Sequence, residues 1–198
     1  MTDSIATEKS LGSRRGRDSK RERLVEGTRL VLHQQGVEGT TIADIAMASN
    51  VPPGNVYYHF KTKDELVQGA IEAHAAELRA FLASLDEHRT PKARLKAFLR
   101  MIATKGDLAA RYGCPQGTLC SELDKRQDPL AHDAAKLMEI PIDWAERQFR
   151  DMGRRDARDL AVALIASYQG ISLLTNTLRD PDLMAREARR LERWIDSL

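Results

Sequence analysis

Four absences narrow this chain before any motif is considered. No apolar run approaches the ~18 residues of a membrane-spanning helix; the longest candidate, residues 160–166, is far too short, so no membrane role is expected. The N-terminus carries charge but no apolar segment of the secretory kind. Two cysteines do not make a disulfide framework, and a reducing cytoplasm is the expected setting. The five histidines, His33, His59, His74, His88 and His132, are scattered, with no nucleophile motif, no metal-ligand spacing and no glycine-rich phosphate loop after a strand. No catalytic residue, metal or cofactor is therefore expected, and a small helical enzyme stands as the remote alternative.

What is present is helical. The 198 residues are 42% hydrophobic and 30% charged, the balance of a globular protein with one domain or a small domain fused to a larger one. Net charge is +2, which does not announce nucleic acid, but residues 9–23 hold seven basic side chains against Asp18 and Glu22. Residues 1–17 read as a flexible basic arm. Helical periodicity begins near Asp18, with Leu24, Thr28, Val31 and Leu32 on one face, and stops at Gly36. Thr41, with Asp44 three residues on, opens a second helix to about Ser49, its inward face Ile42, Ile45 and Ala46. Asn50-Val51-Pro52-Pro53 ends it, and proline then suits the first turn of a third helix at about 53–60. Thr62 with Glu65 opens a long helix at 63–85, striped by Val67, Ala70, Ile71, His74, Leu78, Phe81 and Leu82. Further helices are expected at 91–105, at 128–152 with a kink at Pro141, at 156–179 and at 181–198, with a loop over 111–117. Strand signals are nearly absent. The expected fold is all-α: a three-helix helix-turn-helix domain at 18–64, joined through a long helix to a larger helical domain at 65–198.

A recognition helix must be short, narrow and polar enough to enter the major groove, and its N-terminal residues make most base contacts. In the third helix Gly54 permits close backbone approach, and Asn55 can donate to and accept from a base edge. Tyr58 and His59 can reach phosphate oxygens, while Thr41 and Lys63 lie at helix N-termini, where N–H groups and the dipole favour a phosphate. Val56 and Phe60, four apart, should face inward; Tyr57 is divided between core edge and DNA face. Three adjacent rings at 57–59 cannot all enter one core, which argues against a purely structural hairpin. Upstream, Arg14-Arg15-Gly16-Arg17 suits a narrow minor groove, with Arg15 and Arg17 as contacts, against the alternative of a solvated tail.

The segments TTIADIAMASNV and GNVYYHFKTKDEL resemble the N-terminal DNA-binding domain of TetR-family transcriptional regulators. The likeness covers about residues 21–71; beyond it the chain agrees in helix count and in a two-helix C-terminal end. It implies that Thr41, Gly54, Asn55, Tyr57, Tyr58, His59 and Lys63 lie at the DNA surface. Pro52-Pro53 departs from the serine and lysine common in the family, removing a side-chain cap and a cation from the recognition helix. The resemblance also implies dimerisation through the last two helices. Leu191, Trp194 and Ile195, on a seam that steps by four and three, are the expected interface. Two recognition helices must reach grooves about 34–36 Å apart, so the operator should be a palindrome in double-stranded DNA.

A small-molecule pocket in the larger domain is implied as well. Its candidate lining is Phe81, Phe98, Met101, Tyr112, Cys114, Met138, Trp144, Phe149, Tyr168 and Gln169, against the alternative that such residues are plain core. Few buried charges are in view, so a largely apolar or aromatic effector is preferred. Cys114 and Cys120 are too far apart on one helix for a disulfide; Cys114, beside Pro115 in the expected loop, is the more reactive candidate for an alternative thiol-based redox or electrophile sensor. The expected protein is a cytoplasmic homodimeric regulator, a repressor released from its operator when an effector shifts the long helix.

Overall fold

The computed structural model describes residues 20–126 and 129–198; the basic arm with Arg15 and Arg17, and Asp128, lie outside them. Among the described residues the fold is all-α, with no strand. The chain forms two compact units, Met1–Ala70 and Ile71–Leu198.

The N-terminal unit starts with α1 (Asp3–Gly39), whose helical path is interrupted at Gly36 (φ 75°, ψ 176°), a conformation that glycine adopts without steric cost. Helix α2 (Ile42–Ala48) opens with a complete capping box. The Asp44 N–H donates to Thr41 Oγ1 at 3.2 Å, and the Thr41 N–H donates to the Asp44 carboxylate at 2.9 Å. Its end is built by more than the proline pair. Asn50 turns left-handed (φ 50°), its N–H donating to the Met47 carbonyl at 3.1 Å, while the N–H of buried Val51 reaches back to the Ala46 carbonyl at 3.0 Å. These two bonds make a Schellman motif, which satisfies carbonyls the helix end would otherwise leave open. Helix α3 (Pro53–His59) follows with proline in its first turn. Leu24, Ile45, Ala46, Val51, Val56, Phe60 and Leu66 form the buried core of this unit. Helix α4 (Lys63–Ser84) starts with half of the expected capping box: the Glu65 N–H donates to Thr62 Oγ1, but the Glu65 carboxylate takes the Lys61 N–H instead, at 2.7 Å.

The C-terminal unit holds the rest of α4, a 3-10 turn at Leu85–Glu87, α5 (Pro91–Ala103), α6 (Gly106–Tyr112), α7 (Pro115–Asp124), α8 (Pro129–Asp151), α9 (Ala157–Leu178) and α10 (Pro181–Ser197). The loop expected at 111–117 shrinks to Gly113 and Cys114. Gly113 (φ 78°) ends α6 and Pro115 begins α7, so a glycine and a proline that read as loop are the stop and start of two helices. Helix α8 is continuous through Pro141.

The core joins Leu95, Phe98, Leu99 and Ile102 of α5 to Trp144 and Phe149 of α8, Leu164 and Ile165 of α9, and Met184, Leu191 and Ile195 of α10. This corrects the expected dimer seam. Leu191 and Ile195 are 5% and 0% exposed within their own chain, where α10 packs on α5, α6 and α9, and Trp194 stacks edge-on to Phe149 at 6.1 Å. Lys96–Asp196 (2.8 Å) and Arg100–Glu192 (3.0 Å) add ion pairs between α5 and α10.

Helix α9 is apolar through its middle. Residues 160–178 contain no charged side chain, and by length and composition alone this helix could cross a membrane. Its inner face, Ala161, Leu164, Ile165, Ile171, Ser172 and Thr175, is nonetheless buried in the unit. The outer face is different: Val162, Leu173, Leu174 and Leu178 are exposed, Leu173 by 65%.

Candidate nucleic-acid interface

Helix α3 is only seven residues long, so its orientation depends on a few anchors. Val56 and Phe60 supply them, both buried in the core of the N-terminal unit, with the Arg21 guanidinium 5.0 Å from the Phe60 ring centre. Fixing these two turns Gly54, Asn55, Tyr57 and Tyr58 outward; all four are exposed. Tyr57, undecided from sequence, is on the outside. His59 is half-buried at the end of α3 and meets Tyr58 edge-to-face, ring centres 5.2 Å apart.

Thr41 and Lys63 lie at the starts of α2 and α4, exposed and half-buried respectively. The Thr41 hydroxyl is already engaged, donating to the Asp44 carboxylate at 2.6 Å. That bond, with the one from the Thr41 backbone, holds the Asp44 carboxyl below the usual carboxylate range.

Two neighbours of this surface were not foreseen. Met47 is 77% exposed, the most exposed large apolar side chain among the described residues. Its signal was its place two residues after inward Ile45, off the buried stripe of α2. The second is Lys61, whose ammonium donates to the Tyr57 carbonyl at 2.7 Å, so this cation completes the C-terminal end of α3.

In the C-terminal unit several expected pocket residues do converge. Phe98 lies 6.3 Å from Phe81, 5.6 Å from Trp144 and 6.3 Å from Tyr168, centre to centre. Met101 packs against the same core. Tyr168 Oη is 3.5 Å from Cys114 Sγ, to which Gln169 Nε2 also donates at 3.7 Å. Burial, aided by that thiol, pushes the Tyr168 phenol up, so it stays protonated. The Trp144 indole N–H is buried without a hydrogen-bond partner. Phe149 belongs to the same core, where it stacks on Trp194, while two candidates lie apart from it: Tyr112 is 5.5 Å from the Arg111 guanidinium, and Met138 is half-buried on α8.

The thiols also differ from expectation. Cys114 is not on an open loop: it is buried, capping α7 by accepting the Gly117 N–H at 3.4 Å. Cys120 donates to the Ala134 carbonyl at 3.0 Å, and burial pushes its thiol up to about 11, leaving it protonated and weakly nucleophilic at neutral pH.

Sequence and structure comparisons converge on one group of proteins. The profile described as "Bacterial regulatory proteins, tetR family" matches residues 24–70. The chain is 30% identical over 162 residues to the HTH-type transcriptional repressor DhaR of a Mycobacterium species, spanning 77% of this chain and 80% of that one. It is 26% identical over 189 residues to the HTH-type transcriptional regulator TtgR of Pseudomonas putida, spanning 89% and 88%. Its fold matches a TetR transcriptional regulator from Chloroflexus aurantiacus with TM-score 0.81 at 24% identity, covering 92% of this chain and 96% of that one. A TetR-family regulator from Agrobacterium tumefaciens matches with TM-score 0.80 at 19% identity, covering 89% and 97%.

Proposed function

The chain belongs to the TetR family of transcriptional regulators, and from that premise we propose that it is a homodimeric repressor released from a palindromic operator by a small molecule. It is a helix-turn-helix, DNA-binding regulator. The observation that carries the DNA-binding reading is the outward row Gly54, Asn55, Tyr57 and Tyr58 on a short helix held from behind by Val56 and Phe60. Residues 18–64 act as the DNA-binding domain, with Thr41, His59 and Lys63 at its edges, and residues 65–198 as the effector and dimerisation domain. A regulator of this kind works on the chromosome, in the cytoplasm.

Dimerisation is assigned to the outer face of α9, Val162, Leu173, Leu174 and Leu178, in place of the inward seam of α10. Apolar surface of this extent without a charged side chain gains by burial against a second copy. The effector is assigned to the aromatic cluster of Phe81, Phe98, Trp144 and Tyr168, where the unpartnered indole N–H offers a donor to an otherwise apolar ligand. Helix α4 belongs to both units, so an effector that shifts it changes the spacing of the two recognition helices. Coupling of this sort is reciprocal: operator must weaken effector binding by the same factor.

Footprinting on duplex DNA tests the reading. Protection of two half-sites about 34–36 Å apart supports it, and uniform coating with no preferred site overturns it. Deleting residues 1–17 should weaken operator binding and flatten its salt dependence if Arg15 and Arg17 enter the minor groove; unchanged affinity and slope reject that role.

A further inference from the structure

We propose that this regulator reads A·T pairs through thymine methyl groups and adenine edges, using Met47 and an uncharged first turn of α3. The inference rests on the DNA-binding reading above and adds which bases are read.

The commonest specific contact in a major groove is arginine or lysine to the O6 and N7 of guanine. Helix α3 has neither residue anywhere in Pro53–His59. The next cations along the chain are placed for other work: Lys61 donates to the Tyr57 carbonyl at the far end of α3, and Lys63 opens α4, half-buried. The His59 imidazole lies at the same far end, against Tyr58. Guanine has no arginine or lysine waiting for it at the first turn.

What that turn presents is apolar. Pro52 and Pro53 are exposed, and so is Met47 across the turn. The hydrogen bonds from Asn50 to Met47 and from Val51 to Ala46 fix the end of α2 beside the start of α3. Methylene and thioether groups complement one feature of the major groove, the C5-methyl of thymine. Its pairing partner, adenine, shows the N6 and N7 pair that an asparagine amide matches, and Asn55 is exposed in the same turn.

Gly54 gives independent support. Its φ is outside the left-handed region, and a Cβ built there would meet nothing within 4 Å. Neither backbone strain nor packing inside the protein calls for glycine, and alanine is the better helix former. What glycine leaves is clearance above the first turn, which matters only when another surface comes against it.

The test begins with selection of duplexes from a random library by the full-length protein. Each thymine of the enriched site is then replaced by uracil, which removes only the methyl. We expect A·T pairs at the positions facing α3, with a loss of about fourfold per methyl that is contacted. Met47→Ala should abolish that sensitivity at one position of each half-site. Gly54→Ala should keep or raise the thermal midpoint while weakening the selected site by about tenfold, as a Cβ lifts Asn55 from its base. Half-sites that require guanine N7, shown by 7-deazaguanine, with uracil neutral throughout, overturn this inference and leave the regulator reading standing. A Gly54→Ala protein with full affinity also overturns it. A library with no enriched sequence overturns both.

Discussion

The two units expose apolar side chains in different ways. In the N-terminal unit Met47, Tyr57 and Tyr58 are interleaved with Asn55 and the backbone of Gly54 around a helix of seven residues. In the C-terminal unit Leu173, Leu174 and Leu178 lie along one long helix with no charge among them. A grooved, hydrogen-bonding partner suits the first arrangement, and a second apolar protein surface suits the other. Amount of exposed apolar surface does not separate a DNA face from a protein face; what lies between the apolar groups does.

Substitutions on α9 and α10 give the sharpest way to break this comparison. Ile195→Asp places an unpaired charge in the C-terminal core and should cost about 4 kcal/mol or more, read as a collapse of the urea midpoint. Leu173→Glu with Leu174→Glu changes exposed positions only. Helical content should be retained while light scattering reports monomers and palindrome binding is lost. A folded, monomeric Ile195→Asp protein beside a dimeric double variant would reverse the assignment of the two faces.

The same pair of helices shows what was legible in the sequence. The four-three spacing of Met184, Ala188, Leu191 and Ile195 identified a buried stripe correctly, because helical periodicity reports which side is covered. It does not report by what, and α5, α6 and α9 of the same chain cover it. Helix α9 was apolar nearly all round, so no stripe distinguished its inner from its outer face. Local devices were read more accurately. Thr41 and Asp44 are three residues apart and satisfy each other whatever the rest of the chain does, and Val56 and Phe60 define the inner side of α3 by spacing alone. With that side fixed, the exposure of Gly54, Asn55, Tyr57 and Tyr58 follows. Gly113 and Cys114-Pro115 misled because the residues that make loops also make caps, and only the length of helix on either side tells them apart.

The smallest expected effects concern the caps of the N-terminal unit, where α2 has a reciprocal box and α4 a displaced one. Thr41→Ala removes the acceptor for the Asp44 N–H and should cost about 1 kcal/mol in urea unfolding. The box should also leave a pH signature. Hydrogen bonds from Thr41 lower the Asp44 carboxyl below its ordinary value of 3.8, so the folded state binds a proton there less readily than the unfolded chain. The stabilisation is therefore fully present above that value and is lost as pH falls through the lowered one. Thr41→Ala should shrink this acid-side loss, because the largest cause of the shift is the Thr41 side chain itself. Unfolding curves of both proteins from about pH 6 down to about pH 2.5 should thus converge toward the acid end. A gap that stays constant across that range would mean that Thr41 stabilises α2 through its backbone geometry alone, with the Asp44 carboxylate a bystander.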